Sequence, residues 1–541
     1  MRKLLLALLF PPLLLCLLEL VLALAGIAPA PRFYRESVAA DGSVQLVLDR
    51  ETPWGKNPPF QPPSFPLAKD PHAFRIFCLG DSTVNGTPFS RHSSFVNWLR
   101  VRLEQLHPAR RFEVVRMAAD ARAAREVAEL CREVVHYAPD LVIVYTGHNE
   151  FLFKNLLAVR NPLRTRLHEL VRGCHLGRLL ASLCPETLEP LPGLVKNPVR
   201  LVADEPFLTA GEIEQGYRYY RGALTEIVQA CRDAGVRLLV CRPACNLRDY
   251  EPRRSFFAAA VDGAARARFR ELFAEGEQLL ERECFAEALH RFEEASGVDP
   301  TPALLRYRMA RCLEGLGDRA RARTEYELAR DRDNHPNRAT ARHLQLIDEI
   351  APPFAVIADC QSVFDSASAT GVAGNDLLVD NVHPDLDAQN LIAEAVLRAM
   401  AREGLLAPES AWRFEDEPDV GEYRRRMGLD LREIATSFTE YAFSNLVRVY
   451  GQKESADPLS ATERLLRFAL RYDSENASAH FSLAIVHALR GETEPAREHL
   501  ERSRRGDPSI VTAFLGMARR DSSLAPMASR LQGLLAEGGG K

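Results

Sequence analysis

Short apolar runs of strand length alternate with helix-length amphipathic segments in the first half of the chain and again near residue 355. The runs of strand length are 74–79, 112–117, 140–146, 236–243 and 353–359. The helix-length segments are 93–106, 123–137, 210–234 and 386–402. Continuous apolar, β-branched runs are typical of parallel strands buried on both faces. The alternation therefore predicts right-handed βαβ units that build one parallel sheet.

A second pattern, purely helical and alanine-rich, begins near residue 265 and repeats at intervals of 34 residues. Its recurring positions are Ala288, Phe292, Ala295 and Asp299, then Ala322, Tyr326, Ala329 and Asp333. The C-terminal part shows the same spacing, from Leu466, Ala469 and Asp473 to Leu500, Ser503 and Asp507. A period of about 34 residues is that of tetratricopeptide (TPR) repeats. Both blocks predict TPR-like helical hairpins, with Gly317 and Gly491 between helices, that form a concave protein-binding surface.

The N-terminus begins with a basic pair and continues as a nearly unbroken apolar run from residue 4 to residue 25. About 20 apolar residues suit a membrane-spanning helix, and Arg2 and Lys3 favour a cytoplasmic N-terminal side. Residues 1–28 are therefore predicted to be an uncleaved signal-anchor, single-pass in the cell inner membrane, with the bulk of the chain periplasmic. Removal of the segment at residues 23–25 is the alternative. The proline-rich residues 29–70 predict an extended linker.

The remaining domain boundaries follow from the places where the two patterns change. They give a first α/β part (71–265), an inserted TPR-like block (266–338) and a second α/β part (339–405). Connecting helices (406–445) and a C-terminal TPR-like block (446–541) follow. The segment 151–206 is helix-like but interrupted by prolines, and the sequence predicts no definite role for it.

Composition excludes some classes of function. The net charge is −4, so no basic face for nucleic acid is indicated. The 11 cysteines include no C-x-x-C pair, which argues against a structural zinc site. One disulfide, for example between Cys174 and Cys184, stays open. No metal or other cofactor is indicated, because Asp376, Asp385 and Asp387 are explained by a loop and a helix N-terminus.

Three polar stretches follow predicted strands and can meet at one edge of the sheet. A nucleophilic serine needs a base, a group that orients the base, and donors for the oxyanion. Ser82 supplies a hydroxyl, Asp380-x-x-His383 supplies an acid and a base, and Asn149 supplies an amide. Each stretch alone has an ordinary explanation, since Gly-Asp-Ser is most often a turn and asparagine often caps a helix. Their combination, in this order, favours a serine hydrolase.

At these stretches the chain resembles the SGNH, or GDSL, hydrolases. Gly80-Asp81-Ser82 matches the first block of that family, Gly147-His148-Asn149-Glu150 the third, and Asp380-x-x-His383 the fifth. The resemblance covers roughly residues 71–265 and 340–405, and it is greatest to bacterial membrane-anchored members that carry TPR repeats.

The resemblance implies a flavodoxin-like, three-layer α/β/α domain with a parallel sheet. It implies a catalytic triad of Ser82, Asp380 and His383. The oxyanion hole would be formed by Ser82, Ala121 and Asn149, and the residues lining the site would be Asp81, Gly147 and His148.

Three residues depart from the family pattern. Ala121 stands where the second block carries a glycine, Arg116 where many members have asparagine, and Glu150 where the third block has aspartate. Ala121 keeps a backbone N–H for the oxyanion, provided that the local conformation suits a residue with a Cβ atom.

The leading hypothesis is a membrane-anchored serine ester hydrolase that forms an acyl-enzyme on Ser82. Its expected partners are an acyl-ester substrate of carbohydrate or lipid class, a protein bound by the TPR blocks, and the membrane at the N-terminal helix. The sequence leaves two alternatives open. One is acyl transfer to a polysaccharide by the same residues, and the other is a TPR interaction scaffold with a weak or inactive hydrolase domain.

Overall fold

The computed structural model describes residues 2–28, 32–49, 64–89, 93–183, 202–450 and 458–538. Parts of the predicted linker (29–31 and 50–63), of the 151–206 segment (184–201, with Cys184) and of the C-terminal block (451–457 and 539–541) lie outside this set. In the described ranges the strands are β1 Tyr34–Val38, β2 Val44–Leu48, β3 Phe65–Pro66, β4 Ala73–Gly80, β5 Arg111–Ala118, β6 Leu141–Tyr145, β7 Arg237–Arg242 and β8 Val356–Asp359.

The helices of the same ranges are numbered in chain order. They are α1 Arg2–Leu24, α2 Ser82–Asn85, α3 Phe95–Leu106, α4 Ala124–Val134, α5 Phe153–Arg160, α6 Pro162–Gly173, α7 His175–Leu183, α8 Ala210–Asp233, α9 Gly263–Glu281, α10 Phe285–Val298, α11 Ala303–Gly315, α12 Arg319–Asp331, α13 Ala341–Ile350, α14 Cys360–Ala367, α15 Leu386–Arg402, α16 Val420–Arg426, α17 Leu431–Tyr450, α18 Pro458–Tyr472, α19 Ala477–Arg490, α20 Thr493–Gly506, α21 Ile510–Ala518 and α22 Ala525–Gly538.

Strands β4 to β8 form one parallel sheet in the order β5-β4-β6-β7-β8. Numbered along the chain, this is the order 2-1-3-4-5 of flavodoxin-like sheets, in which ligands bind at the carboxyl edge where the strand order reverses. Gly80 at the end of β4 pairs with Ala118 on one side and Tyr145 on the other. Three strands therefore end together, and the predicted α/β class is confirmed.

Each face of the sheet carries a layer of helices. On one face Ile76, Cys78 and Ile143 belong to a core with α3 and α15. On the other face Phe77 and Val144 belong to a core with α4 and α8. Because successive side chains of a strand point to opposite faces, burial on both sides requires the continuous apolar runs seen in the sequence.

The predicted linker is wrong where the structure describes it. β1 and β2 form an antiparallel hairpin, and β3 pairs with β2. Tyr34, Leu46 and Phe65 are buried in the core that contains α4 and α8, and Glu133 on α4 accepts the backbone N–H of Tyr34 at 3.0 Å. The turn at Asp41-Gly42 carried a hairpin signal, which the prolines further along obscured.

The inserted helices α9 to α12 pack as two hairpins, α9 with α10 and α11 with α12. The predicted recurring apolar positions all lie in one core: Ala288, Phe292, Ala295, Ala322, Tyr326 and Ala329. Gly317 lies between α11 and α12 with a φ of 82°, a conformation that glycine adopts without strain. The insertion is therefore a helical unit whose core also includes Cys245, Leu247 and Val372 of the flanking segments, while its assignment as TPR-like stays a prediction.

The C-terminal helices are joined to the α/β domain. Helix α17 runs across the predicted boundary at residues 445 and 446, so that boundary is wrong. Phe438 on α17 is fully buried, and its ring centroid lies 4.3 Å from that of Phe89 in the α/β domain and 5.6 Å from that of Phe468 on α18. The side chains of α17 to α20 share one core with β4 and α15. This block is thus packed into the core of the α/β domain.

The apolar N-terminal run forms α1, whose large apolar side chains from Phe10 onward are mostly exposed. Among the residues that were described, no helix is both long enough and apolar enough to cross a membrane. Membrane attachment through residues 1–28 stays a prediction.

We expect the variant Phe438→Ala to destabilise the sheet and the C-terminal helices together. Removal of a buried phenylalanine side chain costs about 3–5 kcal/mol, and this ring lies in the core that both parts share. Urea unfolding, followed by circular dichroism and tryptophan fluorescence, should show one transition at lower urea. Leu316→Ala, at a position 49% exposed, is the control and should change stability by less than about 0.5 kcal/mol. A separate early transition of the C-terminal helices alone would contradict the shared core.

Candidate active site

Ser82 lies at the carboxyl edge of the sheet, directly beyond β4. It is the first residue of the one-turn helix α2, and the Asp81 carboxylate caps that helix by accepting the N–H of Thr83 at 3.1 Å. A Cβ atom at Gly80 would lie 2.3 Å from the carbonyl oxygen of Tyr145. Only glycine allows this close approach of β4 and β6, which fixes the position of the serine that follows.

The structure brings Ser82, His383 and Asp380 together. Nε2 of His383 lies 2.7 Å from Oγ of Ser82, and Nδ1 of His383 lies 2.7 Å from Oδ2 of Asp380. The other carboxylate oxygen of Asp380 accepts the backbone N–H groups of Val382 and His383, at 2.9 and 2.8 Å. The carboxylate thus shapes its own loop and orients the imidazole, which is the arrangement that activates a serine.

The charges of His383 and Asp380 stabilise each other. Burial would lower the pKa of His383, but the charge of Asp380 and its hydrogen bond outweigh burial and raise this pKa above its usual value. Burial also acts to raise the pKa of Asp380, yet the charge and hydrogen bond of His383 hold it well below its usual range. Asp380 is therefore ionised throughout the neutral range, and His383 is a stronger base than an isolated histidine.

The phenol of Tyr441 contacts this pair. It donates to Oδ2 of Asp380 at 3.0 Å, the same oxygen that faces Nδ1 of His383. Tyr441 lies on α17, which the sequence identified only as part of the connecting helices. Its contact spans 61 residues and depends on how α17 packs, so no local pattern could have revealed it.

The loop that carries Asp380 is held from three further directions. Asn246, after β7, donates its side-chain amide to the carbonyl of Asp380 at 3.1 Å. Asn381 donates to the carbonyl of Asn337, beyond the inserted helices, at 2.6 Å. Arg464 on α18 donates to the carbonyl of Val379 at 3.3 Å. These residues also lacked a sequence signal, because each acts through a backbone carbonyl.

Two of the predicted oxyanion donors, Ser82 and Asn149, differ in whether their N–H groups already donate hydrogen bonds. The N–H of Ser82 is the first of helix α2, so it has no intrahelical acceptor. Asn149 donates its amide to Oδ2 of Asp81 at 3.0 Å and to the carbonyl of Arg122 at 3.1 Å. Its amide is thus engaged in joining the ends of β4 and β6 and the segment after β5, and it would have to exchange one of these bonds to meet an oxyanion.

Ala121 occupies the left-handed region, with a φ of 58°. A residue with a Cβ atom is strained there by roughly 1–2 kcal/mol. Arg116, near the end of β5, donates to the carbonyl of Asn85 at the end of α2, at 3.0 Å. This departure from the family pattern therefore joins β5 to the segment that carries Ser82.

Gly147 and His148 lie just beyond the end of β6. Gly147 has a φ of 129°, and a Cβ atom there would lie 3.1 Å from the hydroxyl of Tyr220. His148 is buried, and its Nδ1 accepts the N–H of Ala339 at 3.1 Å. Burial lowers the pKa of His148 to about 3. It is neutral at physiological pH and acts as a packing residue.

Two buried carboxyl groups flank Asn149. Burial raises the pKa of Asp81 to about 7 and that of Glu150 to about 8. Glu150 accepts the N–H of Ala124 at the start of α4, at 2.9 Å. Glu150 therefore joins the segment after β6 to the start of α4 through a hydrogen bond.

Asp385, which the sequence placed at a helix N-terminus, caps α15 by accepting the N–H of Ala388 at 2.8 Å.

Comparisons with known proteins add little. No protein family and no curated protein matches the sequence. Solved structures that align include an α/β hydrolase from the metagenome of Lake Arreo in Spain, with 14% identity over 60% of this chain and 94% of that one and a TM-score of 0.29. A putative GDSL-like lipase from Parabacteroides merdae aligns with 14% identity over 61% of this chain and 95% of that one, with a TM-score of 0.28. An acetyl xylan esterase from Geobacillus stearothermophilus aligns with 13% identity over 60% of this chain and 94% of that one, with a TM-score of 0.28.

We expect Tyr441→Phe to raise the pKa of His383 by a few tenths of a unit to about one unit. Without the phenol donor, more negative charge on Asp380 faces the imidazole and stabilises its protonated form. NMR titration of protein with labelled histidines measures this pKa, and His383→Gln assigns the signal.

Tyr423→Phe is the matched control for Tyr441. Tyr423 also donates to a carboxylate, Glu417, at 2.8 Å, but that carboxylate makes its ion pair with Arg102. The control should leave the His383 titration unchanged. An equal pKa in wild type and Tyr441→Phe would show that Tyr441 only packs.

Ala121→Gly should increase stability by up to about 1 kcal/mol. Relief of the left-handed strain, roughly 1–2 kcal/mol, exceeds the added chain entropy of glycine in the unfolded state, roughly 0.5–1 kcal/mol. The control is Ala128→Gly, since Ala128 is buried inside helix α4, where glycine should destabilise by roughly 0.5–1 kcal/mol. Chemical denaturation of both variants measures the effect, and a less stable Ala121→Gly would refute strain at this residue.

Proposed function

We propose that this chain is a serine ester hydrolase that cleaves acyl esters through an acyl-enzyme on Ser82. The observation that supports this most strongly is the continuous hydrogen-bonded chain from Ser82 through His383 to Asp380, at 2.7 and 2.7 Å. A serine that only forms a turn at a strand end would not need these two hydrogen bonds.

In the first half-reaction Oγ of Ser82 attacks the ester carbonyl carbon while Nε2 of His383 takes its proton. The resulting imidazolium is stabilised by Asp380. Collapse of the tetrahedral intermediate breaks the bond to the alkoxy group, which leaves as an alcohol after receiving the proton from His383. An acyl-enzyme remains on Ser82.

In the second half-reaction His383 removes a proton from water as the water oxygen attacks the acyl carbon. Collapse then releases the carboxylic acid and returns the proton to Ser82. A carbohydrate hydroxyl in place of water would give acyl transfer with the same residues, as the sequence leaves open.

The oxyanion of both intermediates would be held by the N–H groups of Ser82 and Ala121 and by the amide of Asn149. Loss of one such donor costs about 10²–10³ in kcat. Asn149 would turn from Asp81 toward the oxyanion. Below about pH 7, the raised pKa of Asp81 favours this exchange, because a protonated carboxyl group accepts a hydrogen bond less strongly.

The substrate class belongs to this proposal. Acyl or O-acetyl esters of carbohydrates or lipids are the expected substrates, as the sequence resemblance implies. We also propose that residues 1–28 attach the chain to the membrane and that the domain works outside the cytoplasm.

We expect a fluorophosphonate probe to label the wild-type chain at Ser82, faster as the pH rises through the pKa of His383, which lies above the usual value for histidine. The unprotonated imidazole is the base, so protonation at lower pH removes activation. Ser82→Ala and His383→Ala should abolish labelling, which is read by gel fluorescence and mass spectrometry.

The matched control is Ser366→Ala, which removes an exposed hydroxyl on α14 that donates to the carbonyl of Ser362. It should label like wild type. A folded wild-type chain that takes no label would overturn the hydrolase and leave the scaffold alternative. After labelling, acetyl and longer acyl esters would be compared as substrates.

A further inference from the structure

Helix α6 presents an apolar stripe to the solvent. Leu163, Leu167 and Leu170 are four and three residues apart, and their exposed fractions are 82%, 61% and 71%. In a soluble domain such a stripe normally faces the core. On α6 the inward side is formed instead by residues such as Thr165, which donates to the carbonyl of Ala158 on α5.

Basic side chains border this stripe on both sides. With about 100° of rotation per residue, Arg164 lies about 100° from Leu163 in one direction and Arg166 about 60° in the other. Both arginines are exposed. The stretch 153–183 has one acid, Glu169, against six basic residues: Lys154, Arg160, Arg164, Arg166, Arg172 and Arg178. An apolar face bordered by arginine is typical of helices that lie in the headgroup region of a bilayer.

Helix α7 packs against both α6 and α1, so the three form one unit. Glu19 on α1 accepts the N–H groups of His175 and Leu176 at the start of α7, at 2.6 and 2.9 Å. Arg178 donates to the carbonyl of Ala28 at 2.8 Å. The one acid within the apolar run of α1 thus has a partner at a helix N-terminus, where a carboxylate is stabilised.

Helix α1, which α7 joins to α6, also exposes apolar side chains. Its exposed large side chains are Phe10, Leu13, Leu14, Leu15, Leu17, Leu18, Leu20, Val21 and Leu24. Contiguous apolar patches of this kind mark membrane or protein contacts.

We propose that α6 docks on an anionic phospholipid bilayer, with Leu163, Leu167 and Leu170 at the boundary of headgroups and acyl chains. Arg164 and Arg166 pair with lipid phosphates. The proposal extends the membrane attachment proposed for residues 1–28. It assigns the helices of residues 153–183 a role in placing the domain at the membrane surface. A protein partner or a second copy of the chain is the competing occupant.

Photocrosslinking in the full chain tests this surface. Leu167 is replaced by p-benzoylphenylalanine, and the chain is incorporated into vesicles of phosphatidylglycerol and phosphatidylethanolamine. The control carries the same residue at Leu316, which is 49% exposed at the end of α11. After irradiation, mass spectrometry should find lipid adducts at position 167 at about tenfold the level at 316. Arg164→Gln with Arg166→Gln should reduce the adducts at 167.

The outcomes separate the two membrane proposals. A chain that floats with vesicles but gives equal adducts at 167 and 316 overturns docking by α6 and keeps attachment by residues 1–28. A chain that does not float overturns both. Crosslinks from position 167 to another protein chain, in place of lipid, assign the stripe to a protein interface and overturn the bilayer. Unchanged probe labelling at Ser82 shows that the variants fold.

Discussion

The hydrogen bond between His383 and Ser82 joins residues 301 positions apart, and much of the structure serves to close it. Ser82 is fixed by the pairing of β4 with its two neighbours and by the glycine that lets β6 approach. His383 lies on a loop that leads into α15, so its position depends on the contacts that fix that loop. Asp380 holds it from within, because one carboxylate oxygen accepts two backbone N–H groups and the other faces the imidazole.

The helical blocks enter the same geometry from outside. The segment beyond the inserted helices contacts the loop through Asn337, α17 through Tyr441, and α18 through Arg464. A protein-binding array tied on by a linker would make no such contacts. The insertion and the C-terminal helices therefore position the triad loop, and any partner that moved them would act on the orientation of His383. Coupling of this kind needs a change in packing, since a shared core deforms little.

The sequence predicted the elements whose information is local. The five parallel strands, α15, the placement of Ser82 and the Asp380-x-x-His383 turn all follow from short patterns. What it missed depends on tertiary packing, such as Tyr441, the tie from Asn337 and the shared core around Phe438. The hairpin of β1 and β2 is a different case, because its Asp-Gly turn was a local signal that was outweighed by proline content. The engagement of Asn149 with Asp81 could not be inferred either, since a sequence shows an amide without its acceptors.

The region that would form the oxyanion hole holds the least favourable features of the described site. Ala121 is held at a positive φ, and Asp81 and Glu150 are buried with their pKa values raised to about 7 and about 8. A carboxyl group whose pKa is higher in the folded than in the unfolded state binds its proton more tightly when folded. Its contribution to stability is therefore present at low pH and is lost as the pH rises from the unfolded value toward the folded one. Between about pH 4 and pH 8, these two residues make the fold progressively less stable while His383 becomes the free base that the proposed reaction needs. The packed cores on both faces of the sheet offset that loss, which lets the edge keep a geometry suited to charge development rather than to stability.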